Sequence, residues 1–307
     1  MSRRPPWLLR LVGVPIAVMV ARGARLSRRR VGLALLYHRV EAAQGDQRRE
    51  IVPALGAGLF AAQLRHLTSH YRLVAAAELQ DAVLRRRRGE KFPVAITFDD
   101  DHPSHTAVTL PLLASAGAPA TFFLTGSSLH EPRSFWWEDL QKVAVRGDVH
   151  GVSEAIQRLQ PQDRAQVVGR LRVLAGDPPP DAGLRRGGVE ALVDGGCEIG
   201  FHTVSHEPLT TLDDAELAEA LRAGRDELEQ LTRRPLRTMA YPHGKVDSRV
   251  AAAARTAGFA YGFTTEAVAV RPDSDPLLLG RLSPSFASTG HFALQLARRL
   301  LPRIWPL

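Results

Sequence analysis

The chain has 307 residues, 45% of them hydrophobic and 23% charged, with 40 lysines and arginines against 32 acidic residues and a formal net charge of +8. That length and balance suit an ordinary globular protein with a full-sized core, and the single cysteine, Cys197, excludes an intramolecular disulfide. The positive excess is mostly arginine scattered over helical patterns, without zinc-finger spacing or basic patches interleaved with aromatics, so no nucleic-acid partner is expected.

At the N-terminus, Leu11 to Ala21 is apolar between Arg10 and Arg22 and is interrupted by Pro15. It falls short of the roughly 20 residues that span a bilayer, and "ARGARLSRRR" follows it where a secretory signal would carry a small-residue cleavage site. Residues 1–30 are therefore expected to be a basic, apolar segment of their own. It reads either as a helix resting on an anionic membrane surface or as one packed against the main domain. A cytoplasmic or membrane-associated location is favoured over secretion.

Residues 31–307 alternate short apolar runs with helical patterns, the mark of β-α units around a parallel sheet. Strands are predicted at Leu33 to Tyr37, Val94 to Phe98, Ala120 to Leu124, Cys197 to Phe201, Arg237 to Tyr241, Ala260 to Thr264 and Leu277 to Leu282. Their near-continuous apolar character suits strands covered on both faces. A helix begins at Phe60, and "DDAELAEALRAGRDELEQL" predicts another, with Leu217, Leu221, Leu228 and Leu231 on one face and Thr211 as its cap. The stretch from about 127 to 187 breaks the alternation. It holds "FWWEDL", an arginine-rich helical pattern and "GDPPPDAG", and reads as a helical insertion closed by a proline-rich turn.

Each predicted strand is followed by, or ends in, a polar or ionisable group: His38, Asp99 and Asp100, Thr125, His202, the Pro242 to Gly244 turn, Thr265 and Arg281. In a parallel β/α barrel the strand C-termini converge on one rim, where active sites are built. One carboxylate and two imidazoles meeting there would make a ligand set for a divalent metal with an open position. A dication would also relieve the repulsion in "DDD" at Asp99 to Asp101. His202 and His206 straddle a strand end and the following turn, since Pro208 disfavours helical geometry at Glu207. Bound metal acidifies water and polarises a carbonyl, and a second carboxylate beside it can accept the water's proton. Neighbouring strand residues point opposite ways, so of Asp99 and Asp100 one can bind metal while the other acts as base. In "AYPHGK", Pro242 fixes the backbone and Gly244 permits an unusual dihedral, leaving the His243 amide to face the pocket. Such a donor is worth about 2.7 to 4 kcal/mol to an oxyanion; a plain turn is the alternative reading.

Together, "LLYHRV" from Leu35, "TFDDDHPSHTAVTLPLLASAGAPATFFLTG", "GCEIGFHTVSHEPL", "MAYPHGKVD" and "LLLGRL" resemble, in order and spacing, the polysaccharide deacetylase family, carbohydrate esterase family 4, or NodB-homology domain. The resemblance implies an irregular (β/α)7-type barrel of parallel strands and a metal-dependent hydrolase that removes N-acetyl groups from an amino-sugar saccharide. It implies Asp99 as catalytic base, Asp100, His202 and His206 as metal ligands, Thr203 and Ser205 as supporting polar neighbours, and the backbone amide of His243 as oxyanion donor. The expected metal is Zn2+, with Co2+, Ni2+ or Fe2+ acceptable to the same ligands. Tyr241, Trp136, Trp137 and Arg281 are the candidate substrate-binding residues.

Four departures stand out. Asp101 replaces the family's usual glycine, Ala240 stands where an arginine often orients the base, and His243 replaces a tyrosine. Gly280 and Arg281 occupy the neighbourhood of the family's general-acid histidine, leaving His243, His38 and His102 as candidate donors to the leaving amine. The alternative to an active deacetylase is a catalytically silent saccharide-binding or scaffold protein that keeps the metal site.

Overall fold

In a computed structural model of the chain, residues 6–144 and 148–301 are described. The strands are β1 (Leu33–Tyr37), β2 (Val40–Glu41), β3 (Leu55–Gly56), β4 (Arg72–Val74), β5 (Pro93–Asp99), β6 (Thr121–Leu124), β7 (Glu198–Phe201), β8 (Thr238–Ala240), β9 (Tyr261–Phe263) and β10 (Arg281–Leu282). Seven of them pair in the order β10-β1-β5-β6-β7-β8-β9, every pair parallel. The ring is completed where Phe263 bridges Leu279 in parallel, with Thr264 N–H donating to the Leu279 carbonyl (2.8 Å) and Leu279 N–H to that of Gly262 (2.9 Å). The result is a nearly closed barrel. β4 lies along the first residues of β5, and β2 and β3 form a separate two-stranded pair.

Every residue of β1, β5 and β6 is buried, the packing that uninterrupted apolar runs require when side chains on both faces leave water. Each predicted strand is present with shifts of a residue or so at its ends, except that Leu277 to Leu282 contracts to the two residues of β10. The chain ahead of β10 bends across to β9 instead of lying flat in the sheet. The helix begun at Phe60 runs from Ala57 to His70 and buries Phe60, Leu64 and Leu67.

The single helix expected over the leucine-rich stretch is two, Asp214–Ala220 and Arg225–Thr232. Gly224 separates them in the left-handed region (φ 73°), where a Cβ would lie 2.2 Å from Val204 Cγ2, so this position takes glycine. Asp213, not Thr211, caps the first helix by accepting from Glu216 N–H, and Glu216 reciprocates in a capping box. Leu217, Leu221 and Leu228 still reach the barrel core.

Three helices, Trp136–Val143, Val149–Arg158 and Pro161–Ala175, fill the stretch read as an insertion. They share a small core of Trp136, Trp137, Leu140 and Ile156. Helix Arg186–Asp194 returns to the barrel through Val189 and Leu192. At the N-terminus, helix Pro6–Arg25 lays Ala17 against Ala293, Leu294 and Ala297 of the terminal helix Thr289–Leu300. No described helix is long and apolar enough to cross a membrane.

Candidate metal and catalytic site

The barrel topology brings residues a hundred positions apart to one rim. Asp100 follows β5 and His202 follows β7, with His206 in the next turn. The Asp100 Oδ1 atom lies 3.4 Å from His206 Nε2 and 3.6 Å from His202 Nε2, and the two imidazole nitrogens are 3.1 Å apart. All three residues are buried, and their candidate ligand atoms lie within 4.8 Å of one another.

Four residues here adopt the left-handed backbone that non-glycine residues avoid: Asp100 (φ 73°), Thr203 (58°), His206 (50°) and His243 (56°). Such strain costs about 1 kcal/mol or more per residue and persists where the surroundings over-determine it. The surroundings are visible. His105 Nε2 lies 2.9 Å from the Asp100 carbonyl and, since a carbonyl only accepts, donates to it. By the same logic His202 Nδ1 donates to the Ala240 carbonyl (2.8 Å), which fixes the tautomer and turns the Nε2 lone pair toward Asp100.

The charge balance of this cluster fits a cation. Asp100 Oδ1 is buried with no hydrogen-bond partner. Burial, then the neighbouring Asp99 and Asp101 carboxylates, push the Asp100 carboxyl well above its usual range. Burial, then His243 and His202, hold the His206 ring well below 6.5, so both imidazoles are neutral lone-pair donors. A carboxylate oxygen without a donor facing two such rings is the donor set a divalent ion satisfies.

Asp99 sits apart in function. Arg281, fully buried, forks onto it with Nη1 to Oδ1 at 2.5 Å and Nη2 to Oδ2 at 2.7 Å, while its Nε donates to the Thr264 carbonyl. Burial alone would raise the Asp99 carboxyl; the Arg281 charge overcomes it and holds the group below its usual range. The Asp99 Oδ2 atom is 3.8 Å from His202 Nε2, so an ionised, oriented carboxylate stands beside the cluster. That arrangement can accept a proton from a water held at the cluster.

Arg281 therefore corrects two expectations. It does not reach substrate, because its guanidinium is spent on Asp99 inside the barrel. It also orients Asp99 from β10, whereas the sequence puts Ala240 in the place of such an arginine. Tyr241 is likewise no substrate contact: its side chain is fully buried and its hydroxyl donates to the Leu277 carbonyl at 3.0 Å. The Asp101 carboxylate is held by hydrogen bonds away from the cavity wall. It accepts from Thr125 N–H (2.8 Å), Thr125 Oγ1 (2.7 Å) and Ser128 Oγ (3.1 Å), tying down the loop after β6.

A cavity of about 80 Å3 opens over Asp99, Asp100, His202 and His206, and His38, Trp136, Trp137 and His243 also line it. The insertion thus folds over the rim. Trp137 packs on His206 (ring centroids 4.7 Å) and stacks on Phe135 (4.3 Å), so both tryptophans serve the insertion's core and the cavity wall together. His206 and His243 rings meet at 4.6 Å. Of the candidate proton donors, His102 is engaged by Ser104 Oγ at 2.9 Å and faces Glu138 at 4.0 Å. His38 looks toward Asp99, and burial, opposed by Asp99, pulls its ring down to about 4.

Sequence reasoning missed His105, which holds the Asp100 backbone, and Arg164, which pairs with Glu207 at 2.9 Å beside His206. The first lies within the same "DDDHPSH" run; nothing near Arg164 in the sequence points to Glu207.

A parallel β/α barrel with a buried Asp-His-His cluster beside an arginine-bound aspartate defines the class of polysaccharide deacetylases, hydrolases that remove N-acetyl groups from amino-sugar polysaccharides. The model of the family "Polysaccharide deacetylase" matches residues 86–262, more than half of the chain, and the protein belongs to that family. Among solved structures it is similar to the Streptococcus pyogenes deacetylase PplD in complex with acetate (18% identity, 87% of this chain and 98% of that one, TM-score 0.62). It is also similar to IcaB from Ammonifex degensii (20%, 86% and 97%, TM-score 0.61) and to BC0361, a polysaccharide deacetylase from Bacillus cereus (18%, 87% and 69%, TM-score 0.60). At such identities these likenesses establish the fold. No curated protein matches the chain.

Proposed function

We propose that the protein deacetylates an N-acetylated oligo- or polysaccharide at this rim, with Asp100, His202 and His206 holding Zn2+, or Co2+, Ni2+ or Fe2+ in its place, and Asp99 as base. When bound, the metal supplies Lewis-acid polarisation of the acetyl carbonyl and acidifies water. Asp99, kept ionised by Arg281, takes the proton of the attacking water at its Oδ2 side, which faces His202. The backbone N–H of His243, presented by the left-handed turn Pro242–Gly244, is the donor for the developing oxyanion. The leaving amine needs a proton, and the one Asp99 has taken from the water can reach it through His38, whose ring is kept neutral by burial; His38 lines the cavity beside Asp99 and is less tied than His102. Trp136 and Trp137 close the cavity against water and offer aromatic edges to the sugar.

The observation that carries this reading is the Arg281 fork on Asp99 next to an unpartnered Asp100 oxygen. Acetate release from chitooligosaccharides or polymeric N-acetylglucosamine by metal-loaded protein tests it, with loss expected in Asp99→Asn and His206→Ala. No release from a broad panel would replace it with the silent binding reading. The same proposal keeps residues 1–30 at an anionic membrane surface: helix Pro6–Arg25 ends in Arg22 and Arg25 and leaves Met19 68% exposed. Co-sedimentation with anionic but not neutral vesicles checks that part.

A further inference from the structure

Beside the cavity over the metal cluster lies a second one of about 250 Å3, and the two share Trp136 and His206 in their walls. Three arginines line the second cavity: Arg133, Arg164 and Arg172. We propose that the saccharide processed here carries an anionic group, a carboxylate or a phosphate, next to the N-acetylated sugar, and that these arginines bind it. This rests on the deacetylase reading of the neighbouring cavity and names its substrate class.

Arg164 is paired with Glu207 at 2.9 Å, whereas the other two guanidiniums, of Arg133 and Arg172, have no carboxylate within salt-bridge range among the described residues. Some exposed arginines elsewhere have carboxylates within salt-bridge range, as Arg158 does with Glu154 (3.0 Å), Arg186 with Glu190 (3.2 Å) and Arg249 with Asp214 (2.9 Å), while others stand alone in solvent; what sets these three apart is that they line one cavity together. Burial first, then the Arg172 charge, lower the Arg133 guanidinium below its usual value, against a smaller opposing pull from Asp101. Arg164 is buried at 3% exposure; its Nη1 donates to the Leu159 carbonyl and its Nη2 to Glu207, while its Nε is buried with no hydrogen-bond partner. Glu207 is the one carboxylate on this wall, and Arg164 occupies it.

Size and geometry agree with charge. The cavity is somewhat below the roughly 300 to 1,000 Å3 of sites for drug-sized ligands, which suits a single sugar or its substituent. Guanidinium forks match the planar oxygens of carboxylate and phosphate, and such charge-assisted bonds are about twice as strong as neutral ones. A further cavity that shares Arg133 and Arg172 also contains Glu131 and Asp139, and the Asp139 Oδ2 atom is buried without a partner. Those carboxylates disfavour an anion there and place it on the His206 side.

The test needs no turnover in its first arm. Metal-free wild-type protein is titrated with glucuronate, glucose 6-phosphate and glucose by ligand-observed NMR, so that no bound metal can hold the anion. At least tenfold tighter binding of an anionic probe than of glucose, abolished by 0.5 M NaCl and in Arg133→Ala/Arg172→Ala, is expected. Binding of glucuronate alone assigns a uronate, and binding of the phosphate ester alone assigns a phosphate. In the second arm, metal-loaded protein is given an N-acetylglucosamine oligosaccharide with alternating uronate and a neutral chitooligosaccharide of equal length. Preference for the acidic substrate should exceed about tenfold in kcat/KM and collapse in the double variant. Equal binding of glucose and both anions, with neutral substrate turned over as well as acidic, overturns the inference and leaves the deacetylase intact. Selective anion binding with neither substrate turned over supports the anion site and rejects the deacetylase.

Discussion

Replacing Arg281 by methionine isolates the device on which the proposed chemistry rests. Asp99 is 3% exposed, and its two oxygens receive the Arg281 fork at 2.5 and 2.7 Å. Methionine fills much of the same volume but leaves a buried carboxylate without its counter-charge. Breaking a buried pair on one side costs about 3 to 5 kcal/mol, because the surviving charge stays desolvated. Asp99→Asn should also be costly, since it strands the guanidinium. The double variant Arg281→Met/Asp99→Asn removes both charges and should cost less than the sum by about 2 kcal/mol or more. Urea unfolding of the four proteins in the presence of a chelator, which keeps metal binding out of the cycle, measures this coupling. Additivity within about 0.5 kcal/mol would show that the pair is no functional unit, and the account of how Asp99 is kept ionised would fall.

Chelator-treated protein should gain about 2.7 kcal/mol of stability at a Zn2+ concentration a hundred times its dissociation constant, seen as a rise in Tm, and His206→Ala should lose most of the rise. His38→Gln should lower kcat by about 100- to 10,000-fold while keeping the Zn2+-induced rise in Tm; unchanged turnover would remove it as proton donor. At Gly244 (φ 67°) an added Cβ would lie 2.1 Å from Thr265 Oγ1, so Gly244→Ala should shift the turn that presents the His243 amide and cut kcat by about 100-fold. His66 is buried at 6% exposure with neither ring nitrogen partnered, and burial, then His70, lowers it from 6.5 to about 4. The folded ring is neutral while the unfolded one takes up a proton, so this contribution is full above pH 6.5 and is lost as pH falls toward 4, up to about 3 kcal/mol. His66→Phe should flatten stability against pH in that window, measured by urea unfolding.

The barrel was legible in the sequence because strands buried on both faces must be apolar throughout, and the rim was legible because each such run ends in a polar group. A carboxylate and two imidazoles meeting at the rim were legible from residue type and strand ends, and the choice of Asp100 over Asp99 rests on the family resemblance; the structure brings Asp100, His202 and His206 together. Arg281 was not legible, since an arginine inside an apolar run reads equally as a surface cation or a pocket residue. Only the closure of β10 onto β1, with register Ala34 to Arg281, puts it under Asp99. The break at Gly224 was hidden for a similar reason: helical periodicity continues through it, and the close approach of Val204 that excludes a side chain there comes from another loop.

That loop ties the insertion to the chemistry. Residues 203–207 carry two left-handed residues, Thr203 and His206, joined by a backbone hydrogen bond from His206 N–H to the Thr203 carbonyl at 3.3 Å. Trp137 covers the His206 ring, and Arg164, with a side chain only 4% exposed, grips Glu207 one residue later. Both contacts come from the helices that interrupt the β-α alternation. The insertion therefore touches the Asp-His-His cluster twice, through Trp137 over the His206 ring and through Arg164 on the neighbouring Glu207. Arg164 and Arg172, on helix Pro161–Ala175, and Arg133, in the loop before helix Trp136–Val143, line the adjoining cavity. Geometry at the cluster and charge selection next to it thus share one structural support, and loosening the insertion should weaken both together.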